Sequence, residues 1–496
     1  MGKAKKYREL ILQRIRQRNW EKRNRRKKKF ERGNTQPIEK RIGLPVPRKF
    51  RRTNNLKNFS QTKNNRTPNL KRNYYLSKHL PINLNYLLMT EKSPLFLEKI
   101  KKENYRTEGI IEIPKMFSII EAPVESYLSL KKIISALLLE GNQEVILDYK
   151  NCEKVGLGTQ VLLDIILIDF LRFSNKCRQI DRNHKDYFPI KIGGVNINNE
   201  EVQKMMFSVG SPVTLKVREQ NFSDIIPYKL CIHDNEKEKD YNKRIEKKEL
   251  DTTEMADYVI DSLARMNKKL TPTRIDDLCT VIGEILINAE EHSTTKFRFS
   301  IGYFKEEKIE NKHYGIFRLV ILNFGKTIYE KFKDDDCPNK EIVAKMKELS
   351  KAYTRKKFFS LNKFEEENLW SLYALQEGVS SVSPTDFKRG NGSIRFIDSF
   401  FNIKGSIEVD NISNLNIQSG NTRIHFNGEY SIVTKTNFNN DTFKVMTFNK
   451  SGNIEEKPDS RFVFQTKYYF PGTIISAKLF FNDDDFEKIN QIKHGN

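Results

Sequence analysis

The stretch Thr271–Ser293, TPTRIDDLCTVIGEILINAEEHS, decides how the second half of the chain is read. With about 100° of rotation per residue and Leu278 taken as zero, Ile282, Ile285, Leu286 and Ala289 fall within about 80° of it. Glu284, Asn288 and His292, spaced four apart, fall together near about 240°, 280° and 320°. The spacing predicts one helix with an apolar face and, beside it, a stripe of carboxylate, amide and imidazole. A stripe bordering a buried face can be held rigidly while staying reachable. The plain alternative is an amphipathic helix with a solvated edge.

Three motifs follow downstream. Leu319–Thr327, LVILNFGKT, reads as a strand running into a turn. Arg389-Gly390-Asn391-Gly392 is a glycine-rich loop, and Phe470-Pro471-Gly472-Thr473-Ile474-Ile475 opens a strand. With Glu284-x-x-x-Asn288 these resemble, in order, the N box, the G1 box, the G2 box and the closing Gly-Thr strand of the histidine-kinase-like (GHKL) ATPase superfamily. The resemblance spans about 251–481, under half the chain.

The resemblance implies ATP and Mg²⁺ as ligands and a Bergerat-type α/β sandwich at 251–485. Mg²⁺ is satisfied by oxygens and keeps most of its waters, so one amide oxygen from Asn288 together with the phosphates suits it. Glu284, one turn earlier, would orient or deprotonate a water. Gly390 and Gly392 would let backbone N–H groups approach phosphate, with Arg389 or Lys388 adding charge. Asn323 would meet the adenine edge beside Thr473, with Gly325 leaving space for the base, and the interval from Thr327 to Arg389 would hold a mobile lid. His292 is expected to pack or hydrogen-bond the helix to the sheet. The family normally has aspartate at the place of Asn323. An asparagine free to turn its amide would relax the choice of ATP over GTP, whereas one locked by Thr473 would not.

Charge is distributed unevenly. Of the net +24, residues 1–80 hold 27 Lys/Arg and 4 Glu, so the body is nearly neutral. Tyr7, Leu10, Ile11 and Ile15 share a helical face, and Lys22–Lys29 packs seven cations into eight residues. This arm suits nucleic acid, with an anionic membrane surface or a protein partner as alternatives. Five cysteines, Cys152, Cys177, Cys231, Cys279 and Cys337, follow no metal-ligand spacing, and no apolar run is long enough to span a bilayer. A reduced, cytoplasmic setting is expected.

Between Gly109 and about Val217 strands and helices alternate: strands at Ile110–Ile113, Val145–Tyr149 and Pro189–Ile192, helices at Pro123–Glu140, Leu157–Phe173 and Asn199–Phe207. This predicts a small α/β domain at 109–233, reached through a helical segment at 81–108. Its Gly156-Leu157-Gly158 resembles the turn of the STAS domain of anti-sigma-factor antagonists, but Lys154-Val155 stand where that family has a phosphorylatable serine. A charged linker is expected at 234–250 and a tail at 486–496. Strands are expected at Lys296–Phe304, Tyr314–Leu322, Ser393–Phe400, Gly405–Val409, Thr422–Phe426, Phe443–Phe448, Arg461–Tyr469 and Thr473–Leu479. Helices are expected at Thr253–Lys268, Lys340–Lys351 and Glu365–Leu375.

The fold expectation is thus α/β and α+β: a basic arm, a STAS-like domain and a GHKL ATP-binding domain. The functional expectation is an ATP-binding regulatory switch that hydrolyses slowly, with a nucleic-acid-binding arm, a protein partner at the STAS-like domain and a homodimer among its assemblies. Alternatives are an anti-sigma-factor-type Ser/Thr kinase and a nucleic-acid-binding adaptor with a vestigial ATP site.

Overall fold

Two short helices, α1 (Ile82–Met89) and α2 (Leu97–Glu103), lead into alternating strands and helices. These are β1 (Ile110–Glu112), β2 (Met116–Phe117), α3 (Pro123–Leu138), β3 (Glu144–Asp148), β4 (Lys154–Val155), α4 (Leu157–Ile180), β5 (Lys191–Val195) and α5 (Glu200–Val209). β1, β3 and β5 form a parallel sheet in that order, and β2 pairs with β4, also in parallel. Parallel neighbours need a crossover between them, which α3 and α4 supply. Pro123 opens α3, where its missing N–H has no intrahelical partner to lose. Asn199 caps α5 by accepting the Val202 N–H, and left-handed Gly210 ends it.

The computed structural model describes residues 72–180, 188–211, 222–234, 241–291, 293–295, 297–309, 312–354, 365–381, 392–403, 413–436, 440 and 442–488. Most of the basic arm, the expected strand at 405–409 and most of the 486–496 tail lie outside the described residues.

The second half is built on β6 (Ile225–Asp234), α6 (Tyr241–Arg265), α7 (Pro272–Glu291), β7 (Phe297–Ile309) and β8 (Lys312–Phe324). After these come α8 (Ile328–Lys333), α9 (Lys340–Thr354), α10 (Glu366–Tyr373), α11 (Gly392–Asn402), β9 (Asn414–Phe426), β10 (Val433–Thr436), β11 (Thr442–Val445) and β12 (Val463–Phe481). Five strands form an antiparallel sheet in the order β6-β7-β8-β12-β9. Its strands alternate sides with period two. Val320, Leu322 and Phe324 of β8 and Ile474 of β12 join a core with α1, α3 and α4. Leu319, Ile321, Ile475 and Ala477 join another with α6, α7 and α11. Burial on both faces is why Leu319–Leu322 is an unbroken apolar run, and each such side chain contributes about 1.5–3 kcal/mol on leaving water.

Four expectations need correction. Residues 393–400 are helix, not strand: Ile394, Phe396, Ile397 and Phe400 are all buried, and they mark one side of α11. Of the charged linker expected at 234–250, Asp234 ends β6 and 241–250 are the first turns of α6, while 235–240 lie outside the described residues. β6, placed by the sequence in the first domain, pairs with β7 and so supplies the edge of the second sheet. Finally, the strands expected at Arg461–Tyr469 and Thr473–Leu479 fall, from Val463 on, in one strand, β12, whose pairing with β9 shifts register between Gln465 and Phe470 and again between Phe470 and Thr473. Between the expected domains at 109–233 and 251–485, the back of the five-stranded sheet shares a core with α3 and α4. No helix among the described residues is long and apolar enough to cross a membrane, and all five cysteines are free.

Candidate functional site

Leu278, Val281, Ile282, Ile285 and Leu286 of α7 are fully buried and Ala289 nearly so, which fixes the helix against the sheet and against α11. The polar edge of α7 is thereby turned toward a cavity of about 250 Å³. Glu284 and Asn288 line it from α7, Asn323 from β8, Gly392 from α11 and Thr473 from β12. Residues from all four motifs, spread over nearly two hundred positions, meet around one space.

Asn323 is 1% exposed, and both ends of its amide are engaged. Its Nδ2 donates to the Ala289 carbonyl of α7, and its Oδ1 accepts the Thr473 N–H at 3.1 Å. The orientation is set by two backbone groups, since a turned amide would face donor with donor and acceptor with acceptor. Of the two states the sequence left open, a free amide or one locked by Thr473, the hydrogen bonds are those of a locked one. Thr473 also shares a hydroxyl contact with Ser419 of β9 at 2.9 Å. Gly472 precedes it with φ 146°, and a Cβ there would run into the Asn323 carbonyl, so the close passage of β12 over β8 requires glycine.

Asn288 lines the cavity with no hydrogen-bond partner for its amide among the described residues. The Glu284 carboxylate is paired with Arg395 of α11 at 3.3 Å. It also lies where a Cβ on Gly392 would go, so glycine lets the start of α11 close onto α7. Gly325 does not line the cavity; its N–H closes the β8–β12 junction on the Pro471 carbonyl at 3.3 Å. His292, Lys388, Arg389 and Gly390 lie outside the described residues.

The sequence reading missed several lining residues. Lys326, Ile328, Lys331 and Phe332 come from α8 and its approach, Leu375 and Val379 from the segment after α10, and Arg395 and Phe396 from α11. Arg395 was hidden by the strand reading of its segment; at helical spacing it stands one turn after Gly392, on the Glu284 side. α8 is tied in place from outside. Thr327 and Glu330 form its capping box, Glu330 accepts from Tyr469 at 2.9 and 3.0 Å, and Lys92 pairs with Glu330 at 2.7 Å. Burial pushes the Glu330 carboxyl up, but the bonds from Lys92, Thr327 and Tyr469 outweigh it and hold the group below its ordinary value. Lys326 is held charged by its bond to Asp334.

Chemically, the cavity offers apolar walls (Ile287, Ile321, Ile328, Phe332, Ile417, Ile475), cations (Lys326, Lys331, Arg395), one unengaged amide and one carboxylate. Among the described residues no three His, Cys, Asp or Glu are grouped to hold a metal, so an ion here would bring most of its oxygen ligands with it. The volume of about 250 Å³ lies just below the roughly 300–1,000 Å³ usual for small-molecule sites. Compared with known proteins, the chain matches no family model, no curated protein and no solved structure.

Proposed function

We propose that this chain is a nucleotide-gated switch that binds Mg²⁺·ATP in the cavity between α7, α11 and the five-stranded sheet and hydrolyses it slowly. On this reading the C-terminal half is a GHKL-type ATP-binding fold, with a STAS-like layer against its back. The observation that carries the reading is the convergence of Glu284, Asn288, Asn323, Gly392 and Thr473, from four separate motifs, on one cavity. The donor set supports it as well. Ile321, Ile417 and Ile475 give a base an apolar wall, Lys326, Lys331 and Arg395 give phosphates counter-charge, and the Asn288 amide is available for one metal oxygen contact.

In that role Asn288 would hold Mg²⁺ through its side-chain oxygen, and the ion's contribution is neutralisation of phosphate charge. Glu284 would orient a water and take its proton, and to do so its carboxylate must exchange the contact with Arg395 for the water. A base already engaged by a guanidinium supports slow turnover. Titration calorimetry tests the reading: Asn288→Ala is expected to lose metal-dependent ATP affinity, and Glu284→Gln to bind ATP without releasing phosphate. Equal Mg²⁺·ATP affinity in Asn288→Ala and wild type overturns it, and label transferred to protein in place of phosphate release moves it to a kinase.

The arm at 1–80, with its 27 Lys/Arg against 4 Glu, supports nucleic acid as partner, and five free cysteines suit a reduced, cytoplasmic setting. Binding through it should fall steeply with salt, by a log–log slope of about −0.9 per phosphate neutralised on duplex DNA. A flat salt response, or unchanged binding after deletion of 1–70, removes this part of the proposal.

A further inference from the structure

On the face of the sheet turned away from the cavity, Arg318 of β8 stands directly opposite Lys478 of β12. Directly opposed residues of an antiparallel pair share a face, with Cβ atoms about 4.5–5.5 Å apart, and like charges there are destabilising. The face is identified by Val320, two residues along β8, and Ile474, four residues along β12, which belong to the core shared with α4. Adjacent residues of β12 thus look in opposite directions, Thr473 and Ile475 into the nucleotide cavity and Ile474 and Ser476 away from it.

Among the described residues neither Arg318 nor Lys478 makes an ion pair. Arg318 Nε is buried without a hydrogen-bond partner, and so is the hydroxyl of Ser476, the next residue along that face of β12. The guanidinium of Arg318 sits over the Tyr303 ring, 6.0 Å from its centroid. Lys154 and Lys305 add positive charge nearby, but each has its own carboxylate, Glu121 at 2.8 Å and Glu201 at 2.7 Å. Burial, and then Arg318, push the Lys478 ammonium down to about 8, with Glu307 opposing and Lys154 and Lys305 adding to the shift. The roof is the first turn of α4, where a Cβ on Gly158 would lie 3.6 Å from the Ser476 hydroxyl. Donors converge here from two strands, and the one carboxylate that faces Lys478, Glu307, acts on it from beyond ion-pair distance.

We propose that Arg318, Lys478 and Ser476 form a binding site for a phosphate-type oxyanion, held between the sheet and the first turn of α4. A guanidinium fork takes two oxygens of such an ion, and an ammonium and a hydroxyl take the others. The ion would remove the like-charge conflict and fasten the N-terminal layer to the sheet that carries the nucleotide cavity on its other face.

The test is thermal denaturation of the full chain, free of nucleotide and Mg²⁺, in phosphate and in chloride at matched ionic strength. Phosphate is expected to raise the wild-type midpoint by a few degrees, because a ligand that binds only the folded state stabilises it. Arg318→Gln and Lys478→Met should each lose most of that rise. In chloride, Lys478→Met should melt no lower than wild type, since it removes one of two opposed cations. A phosphomonoester such as glycerol phosphate, titrated beside inorganic phosphate, identifies the source: stronger stabilisation by the ester marks the end of a larger ligand, and equal stabilisation a free ion, either of which supports the site. The proposal falls if phosphate and chloride act alike on wild type, if both variants keep the full phosphate response, or if Lys478→Met melts lower in chloride. Because Mg²⁺ and nucleotide are absent, failure here leaves the nucleotide reading standing.

Discussion

The side chain of Asn323 joins Thr473 to Ala289: its Oδ1 takes the Thr473 N–H at 3.1 Å and its Nδ2 gives a hydrogen bond to the Ala289 carbonyl. One buried amide thus locks β8, β12 and the helix bearing Glu284 and Asn288 together. Asn323→Asp keeps the first bond and turns the second into an oxygen facing an oxygen. The variant is expected to lose about 1–3 kcal/mol in a urea denaturation series, the usual cost of an unmatched buried polar group. Unchanged stability would show that the amide does not hold these elements. With a fixed orientation, the wild type is also expected to discriminate between ATP and GTP in competition binding, and similar affinities for the two would contradict a locked amide at the base.

Gly392 and Glu284 give a second expectation. A methyl group at 392 occupies the place of the carboxylate, while alanine favours a helix over glycine by up to about 1 kcal/mol. Gly392→Ala should therefore fold at least as well as wild type and yet displace Glu284, lowering kcat by more than it raises KM. Arg395→Gln removes an exposed partner whose pair is worth about 0–1 kcal/mol, so its melting curve should barely move while turnover changes. Steady-state kinetics with both variants check this. Wild-type kcat in Gly392→Ala would show that Glu284 does not act in turnover.

How much of this the sequence disclosed depends on whether the deciding pattern was local. α7 was legible because six apolar residues repeat at helical spacing over its length, and the site residues ride on the same period. Residues 393–400 misled because Ile394, Phe396 and Phe400 fit alternation almost as well as a helix; only Ile397 beside Phe396 argues against it. β6 was not read as a strand at all, because its pairing with β7 is a choice between distant partners that no local pattern records. The first turns of α6 carry charge without an apolar stripe, so they read as linker until Met255 and Val259 supply the buried face. Arg318 and Lys478 meet only through the β8–β12 register, which spacing does not give.

Glu330 couples the N-terminal helices to the cavity through α8. Glu330→Ala removes the capping box and the bonds from Lys92 and Tyr469, and about 1 kcal/mol is expected for the cap alone. Because α8 and its approach bring Lys326, Ile328, Lys331 and Phe332 to the cavity, ligand affinity should fall with stability. Lys92→Ala, which spares the cap and breaks the exposed ion pair and the contact of the ammonium with the Tyr469 ring, should cost about 1 kcal/mol or less. The folded-state carboxyl is held below its unfolded value, so its stabilisation is present above the ordinary carboxylate range and is lost as pH falls through the lower folded value. Denaturation midpoints of wild type and Glu330→Ala should converge in acid, and a gap independent of pH would contradict the assignment.

Asp164 of α4 titrates in the opposite sense. It is 1% exposed, and its Oδ1 accepts from the Ser211 hydroxyl at 2.8 Å and the Gln160 amide at 2.9 Å. Burial outweighs those two bonds and pushes its carboxyl up to about 7. An unfolded aspartate titrates near about 3.9, so between those values the folded state binds more protons than the unfolded one, and stability falls as pH rises. Below that window the penalty is absent, and above it the penalty is complete, at most about 4 kcal/mol. Asp164→Asn retains an oxygen for Ser211 and Gln160 and cannot ionise. Urea midpoints at acidic, neutral and alkaline pH should therefore show the variant close to wild type in acid and clearly more stable on the alkaline side. Parallel curves would mean that Asp164 keeps an ordinary carboxylate value.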